Sequence, residues 1–65
     1  MQPENLQEIQ QDIEVISQKL DLVFEQASEQ EQNQFFESIG AAQYYLSESQ
    51  WKIESMIEQI KAMQH

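Results

Sequence analysis

Hydrophobic side chains recur at alternating spacings of three and four residues along both halves of the chain. A period near 3.5 residues places each series along one side of a helix, as in coiled coils and helical bundles. Most positions between them hold Gln or Glu, which favour helices over strands. The sequence therefore predicts an all-α fold. The first series is Leu6, Ile9, Ile13, Ile16, Leu20, Val23 and Ala27; the second is Phe35, Ile39, Ala42, Leu46, Ser49, Ile53, Met56, Ile60 and Met63.

The two series are out of phase, and a polar stretch separates them. The first would continue at Gln30 and Gln34, which are polar, and the second begins one residue late at Phe35. Ser28 and Glu31 have the spacing of a capping box, in which each residue hydrogen-bonds the backbone N–H of the other at the start of a helix. We therefore expect the chain to turn within residues 27–34.

Gly40 is a second candidate for the turn. Glycine favours the left-handed conformation that often follows a helix end. The second series nevertheless continues in phase through Ala42 and Leu46, as it would in an uninterrupted helix. Glycine within a helix costs only about 1 kcal/mol relative to alanine. A turn at Gly40 and a single long helix thus remain alternatives to a turn near Ser28.

The favoured architecture is one domain over residues 1–65, an antiparallel helical hairpin with helices at about 4–26 and 31–63. The second helix should exceed the first by about 15 Å, so part of it has no cover within one chain. Phe35 and Phe36 should close the core beside the turn. We expect two hairpins to form a dimeric four-helix bundle. Its predicted core is Ile13, Ile16, Leu20, Ile39, Leu46, Ile53, Met56 and Ile60.

Charge narrows the partners. Twelve carboxylates face three lysines, for a formal net charge of −9. Nucleic acids and anionic membranes attract cationic proteins, so neither is expected as a partner. A basic protein stays electrostatically favourable. The chain has no cysteine, no apolar run of membrane-spanning length and no basic, apolar start typical of a secretory signal. A cytoplasmic location is expected.

Residues that could carry catalysis or bind metal are sparse. His65 is the sole histidine, and it stands at the last position, where a catalytic base is hard to position. Carboxylates recur at a spacing of four, but no Glu-x-x-His pair accompanies them, as it does in di-iron bundles. No nucleophile elbow or glycine-rich phosphate loop is present. We expect no enzyme activity, metal or cofactor.

Two aromatic residues are the most informative candidates for binding. Tyr44 and Trp51 lie seven residues apart, away from the Ile39–Leu46–Ile53 line, so hairpin packing should leave them exposed. Trp and Tyr are enriched at interface hot spots. Val15 and Leu22 form a similar pair on the first helix. These four residues are the predicted partner-binding positions, although Tyr44 and Trp51 could instead serve a second core in an oligomer.

The predicted function is a non-enzymatic protein-interaction module, such as an adaptor, small chaperone or assembly factor. One alternative is an acidic inhibitor that mimics nucleic-acid charge on a basic protein surface. Another is a purely structural homo-oligomer. No motif resembles that of a particular family.

Overall fold

The computed structural model describes residues 1–64 as two helices packed side by side. Helix α1 spans Pro3–Glu25 and helix α2 spans Glu29–Met63. They pack on each other as an antiparallel hairpin, which confirms the predicted all-α hairpin. The molecule measures 54 × 16 × 11 Å. At 1.5 Å per residue, the 35 residues of α2 extend about 52 Å, so α1 lies within the length of α2.

The turn is tight and capped at both of its ends. It comprises Gln26–Ser28, so α2 starts at Glu29 rather than near residue 31. The amide N–H groups of Gln26 and Ala27 donate to the carbonyls of Leu22 and Phe24. The Gln32 side chain reaches back to the carbonyls of Phe24 and Glu25, at 2.8 and 3.4 Å. These bonds satisfy carbonyls that the end of α1 would otherwise leave unpaired.

The predicted capping box is present at the start of α2. The Ser28 hydroxyl accepts from the Glu31 N–H at 3.1 Å, and the Glu31 carboxylate accepts from the Ser28 N–H at 3.0 Å. Gly40 lies inside α2 and has no left-handed φ. The two alternatives, a turn at Gly40 and a single long helix, are therefore wrong.

The contact between the helices uses only one of the two expected lines of side chains on each helix. On α1 the line of Leu6, Ile13 and Leu20 faces α2, but its companions are Gln10, Ser17 and Phe24 rather than Ile9, Ile16 and Val23. On α2 the line of Ile39, Leu46, Ile53 and Ile60 is paired with Gln43, Gln50 and Ile57, whereas Ser49 and Met56 are exposed; Ala42 is half-buried. Each helix is thus rotated from the orientation that its hydrophobic series predicts.

Two of the residues predicted for the core of the dimeric bundle are exposed in the single hairpin. Ile16 is 51% exposed and Met56 is 37% exposed, so neither lies in the contact between α1 and α2. Phe35 and Phe36 are also exposed, and the prediction that they close the core beside the turn is wrong. Half-buried Phe24 and Gln32 occupy that place. Among the described residues, only Pro3, Leu6 and Ile57 are buried, and all three lie near the open end.

The extra length of α2 leaves little uncovered at the open end. Pro3 begins α1, where its missing N–H is harmless, and it is buried. Ile57 is buried and Ile60 half-buried, whereas residues 61–64 are exposed. The part of α2 that extends beyond α1 at the open end is therefore about one helical turn. It is shorter than the predicted length of about 15 Å because the start of α1 lies close to the end of α2.

Candidate interaction surfaces

One side of the hairpin carries a row of hydrogen bonds between glutamine amides and carboxylates, which we call the amide groove. The Gln10 amide donates to Glu54 at 2.9 Å, and the Gln50 amide donates to Glu14 at 3.4 Å. These bonds connect the two helices along their length, so the polar side chains in the contact between α1 and α2 have hydrogen-bond partners.

The centre of the amide groove is a three-residue cluster. The Gln43 amide donates to the Ser17 carbonyl at 3.0 Å and to the Asp21 carboxylate at 2.8 Å. The Ser17 hydroxyl donates back to the Gln43 side-chain oxygen. Exchange of both a donor and an acceptor fixes which residues of α1 and α2 lie level with each other, and hence the register of the hairpin.

The other side of the hairpin is apolar on both helices, and we call it the apolar face. On a helix, the residues three and four places after a contact position lie on opposite sides of it. The groove residues take the side of Gln10 on α1 and of Gln43 on α2. The lines that include Ile9 and Ala42 therefore share the opposite side. The apolar face comprises Ile9, Ile16 and Val23 of α1 with Phe35, Ala42, Ser49, Met56 and Met63 of α2. Ile16, Val23 and Leu20 border a shallow apolar depression on it.

Tyr44 and Trp51 lie exposed on α2 beside the amide groove, as the sequence predicts for a simple hairpin. Trp51 is 83% exposed and Tyr44 is 63% exposed. Ser47 and Glu48 join them in lining one shallow depression. A second depression runs from Trp51 to Gln50 and Glu14 of the groove. The indole therefore lies next to carboxylates from both helices. The Tyr44 ring also makes an edge-to-face contact with Tyr45, at 5.6 Å between centroids.

Val15 and Leu22 are exposed as well, but they lie elsewhere. Their positions on α1 are opposite the contact with α2, on the outer side of that helix. The structure thus does not bring the four predicted partner-binding residues together. Tyr44 and Trp51 form one surface with the groove, and Val15 and Leu22 form a separate, smaller patch.

The described residues offer no arrangement suited to metal binding, because no three carboxylates or other ligand side chains converge among them. His65 lies outside the described residues.

The Glu31 carboxyl has a lowered pKa, since the backbone N–H and then the side chain of Ser28 hydrogen-bond it. No helix within residues 1–64 has the length and apolar character to span a membrane.

The groove amides are the residues that the hydrophobic pattern missed. Their signal is nonetheless present, because Gln10 with Ser17 and Gln43 with Gln50 are each seven residues apart. Here, polar side chains that recur every seven residues beside a line of hydrophobic residues indicate positions that form hydrogen bonds between the helices.

No protein-family model, no curated protein sequence and no solved structure is significantly similar to this chain.

Proposed function

We propose that this chain is a non-enzymatic protein-interaction module, acting as an adaptor, small chaperone or assembly factor. The observation that carries the proposal is Trp51, which is 83% exposed and takes no part in the contact between α1 and α2. Large aromatic side chains contribute most of their binding free energy when a partner buries them. Tyr44, one heptad earlier, extends the same surface.

The surroundings of the aromatic pair favour a basic partner segment. Glu48 lies beside both rings, and Glu14 lies beside Trp51 across the groove. A Lys or Arg side chain placed over the indole would gain a cation–π contact and reach these carboxylates at the same time. Opposite charge would also speed the encounter. The proposed ligand is a short basic stretch of another protein, bound by Tyr44 and Trp51 with the carboxylates around them.

The test is the double variant Tyr44→Ala/Trp51→Ala. Alanine is a good helix former and neither ring lies between the helices, so helicity measured by circular dichroism should stay nearly unchanged. Proteins captured from native lysate by the tagged wild-type chain are identified by mass spectrometry, and the purified partner is then titrated calorimetrically. The double variant should bind about thirtyfold or more weakly, the effect of a hot spot worth about 2 kcal/mol.

Tyr45→Ala is the matched control. Tyr45 is as exposed as Tyr44 but lies on the opposite flank of α2. The substitution removes only the edge-to-face neighbour of the Tyr44 ring and leaves Trp51 in place, so it should weaken partner binding far less than the double variant does. Equal capture of the partner by wild type and by the double variant would contradict the proposed site.

The acidic-inhibitor function is the second candidate, and the number of carboxylates outside the apolar face favours it. The two candidates differ in salt dependence. Salt at about 1 M should weaken binding at the aromatic site only in part, because the buried ring area is not screened, whereas a charge mimic should release its target entirely because the Debye length falls to about 3 Å. Release by salt together with unaltered binding by the double variant would favour the inhibitor.

We also propose that two hairpins assemble into a dimeric four-helix bundle. Support comes from the exposed apolar side chains that the contact between α1 and α2 leaves unused on both helices. If the dimer forms and no other protein is captured, the purely structural homo-oligomer becomes the better description.

A further inference from the structure

We infer that the apolar face binds a second copy of this chain, with α1 of each copy packed antiparallel against α2 of the other. This inference rests on the proposed dimer and is independent of the Tyr44/Trp51 site. It adds which face is buried, how the copies are aligned and which charged residues pair between them.

The exposed area is large enough for such an interface. The hairpin exposes 5399 Å², whereas a compact monomer of 7.7 kDa exposes about 4,300 Å². The excess of about 1,100 Å² exceeds the roughly 800 Å² that each partner buries in a standard interface. Packing of a second hairpin against one face would therefore reduce the accessible surface of each chain to about that of a compact monomer of the same mass.

The distribution of charge identifies the occupant as a second copy. The line flanking the apolar face on α1 is Asn5, Asp12, Lys19 and Gln26; on α2 it is Glu31, Ser38, Tyr45, Lys52 and Gln59. Each flank has one carboxylate and one lysine, so the apolar face with its flanks is formally neutral. The other ten of the twelve carboxylates, with Lys61, carry the entire net charge of −9.

This separation matters because like charges brought together at an interface cost several kcal/mol. A strongly acidic chain can approach its own copy only through a surface that lacks the net charge, and the apolar face is such a surface. A basic partner would gain nothing from neutral flanks. The Tyr44/Trp51 side has the carboxylates that such a partner needs, so the two surfaces suit different occupants.

The sizes of the side chains fit one alignment of the copies. Within the hairpin, Gln10 lies level with Glu54, and Glu14 with Gln50. Suppose that the two copies are related by a two-fold axis parallel to the helices, so that α1 of each copy faces α2 of the other. Residues of α1 and α2 that lie level within one hairpin then also lie level between the two copies. Ile16 of one copy then lies within one residue of the level of Ser49 of the other, and Val23 within one residue of the level of Ala42. Ala42 and Ser49 are the two smallest side chains on that line. A branched side chain enters the space that small residues leave, as in knobs-into-holes packing.

The same alignment pairs charges across the interface. Asp12 lies midway between Gln10 and Glu14, and Lys52 lies midway between Gln50 and Glu54. Asp12 of one copy therefore lies level with Lys52 of the other, on adjoining flanks. Inside one hairpin the two residues are on opposite outer flanks and cannot meet. The pair can form only between copies.

The first experiment introduces a carboxylate on the apolar face. Ala42→Glu and Ser49→Glu should each raise the dimer dissociation constant about tenfold or more, because the charge is buried between copies. Ala41→Glu is the control, since Ala41 is adjacent but faces outward, and it should leave the dimer intact. Sedimentation equilibrium gives the masses, and circular dichroism checks that each monomer stays helical. Ser49 is already exposed, so its substitution leaves the hairpin contact untouched.

The outcomes are separable. A wild-type chain of 7.7 kDa at about 100 μM would overturn the dimer itself. A wild-type dimer that Ala42→Glu and Ser49→Glu leave intact would overturn the assignment of the face while the dimer stands.

The second experiment tests the alignment through charge. Lys52→Asp should weaken the dimer by placing two carboxylates level with each other. Adding Asp12→Lys should restore it, whereas adding Glu8→Lys should not, because Glu8 lies on the outer side of α1. Both double variants keep the net charge of the wild type, so their difference reports position alone. Equal restoration by the two doubles would overturn the proposed alignment.

Discussion

At the scale of single residues, Ser28 and Glu31 determine where the chain turns. Their reciprocal bonds pair two N–H groups that the start of α2 would otherwise leave unpaired. The spacing of these two residues was visible in the sequence, because a capping box depends on neighbours within one turn and on nothing distant. Replacement of a capping serine by alanine costs about 1 kcal/mol, a large share of the stability of so small a hairpin.

The cap should make stability depend on pH. The bonds from Ser28 lower the Glu31 pKa below its usual 4.5 in the folded chain, so the ionised carboxylate favours folding. This contribution is complete above the unfolded value and is lost as the pH falls through the folded one. Glu31→Gln should therefore melt at a lower temperature than wild type at pH 7, and this difference should narrow as the pH falls below the usual range of Glu. Thermal melts followed by circular dichroism measure both.

Glu37→Gln controls for the charge alone, since Glu37 is exposed further along α2. A difference between Glu31→Gln and wild type that persists in full at low pH would show that the carboxylate bond is not its cause.

At the scale of the helices, Gly40 is a weak point that packing does not require. A Cβ atom there would meet nothing within 4 Å, and the backbone is already helical. Gly40→Ala should stabilise the hairpin by about 0.5–1 kcal/mol, raising the melting temperature by several degrees. The converse change, Ala41→Gly, should lower it by a similar amount. An unchanged or lower melting temperature for Gly40→Ala would indicate that the glycine serves an unrecognised contact.

The orientation of each helix was only half predictable. Hydrophobic periodicity correctly gave the lines of Leu6 and Ile39, but it chose Ile9 and Ala42 as companions where the structure uses Gln10 and Gln43. The sequence of one helix alone does not determine which of its two neighbouring lines of residues takes part in the contact. It depends on bonds such as that from Gln43 to Asp21, whose partners are apart in the sequence and meet only once the register exists. The heptad repeat of the glutamines was the available signal.

At the scale of the whole molecule, the hairpin has two different surfaces, the neutral apolar face and the acidic side that carries Tyr44 and Trp51. The amino-acid composition does not distinguish them. The sequence shows a net charge of −9, but it does not show that the apolar face is neutral, because that requires the rotation of both helices. The exposed state of Tyr44 and Trp51 was predictable, since those residues lie off the central line under either rotation. Their nearness to Glu14 of the other helix was not.

The amide groove also implies an order of folding. Together with the Gln32–Phe24 bond at the turn, its bonds span ever longer stretches of chain, from 8 residues at Gln32–Phe24 through 22 and 36 to 44 at Gln10–Glu54. The entropy cost of closure is lowest for the bond nearest the turn, and each bond that forms holds the next pair of residues close together, so closure should proceed like a zipper from the turn. In the Ser49→Glu background, which should keep the chain monomeric without altering the hairpin contact, Ser28→Ala should mainly slow folding, whereas Ile57→Ala at the open end should mainly speed unfolding. Temperature-jump relaxation separates the two rates, and equal effects of both variants on folding would rule out zipping from the turn.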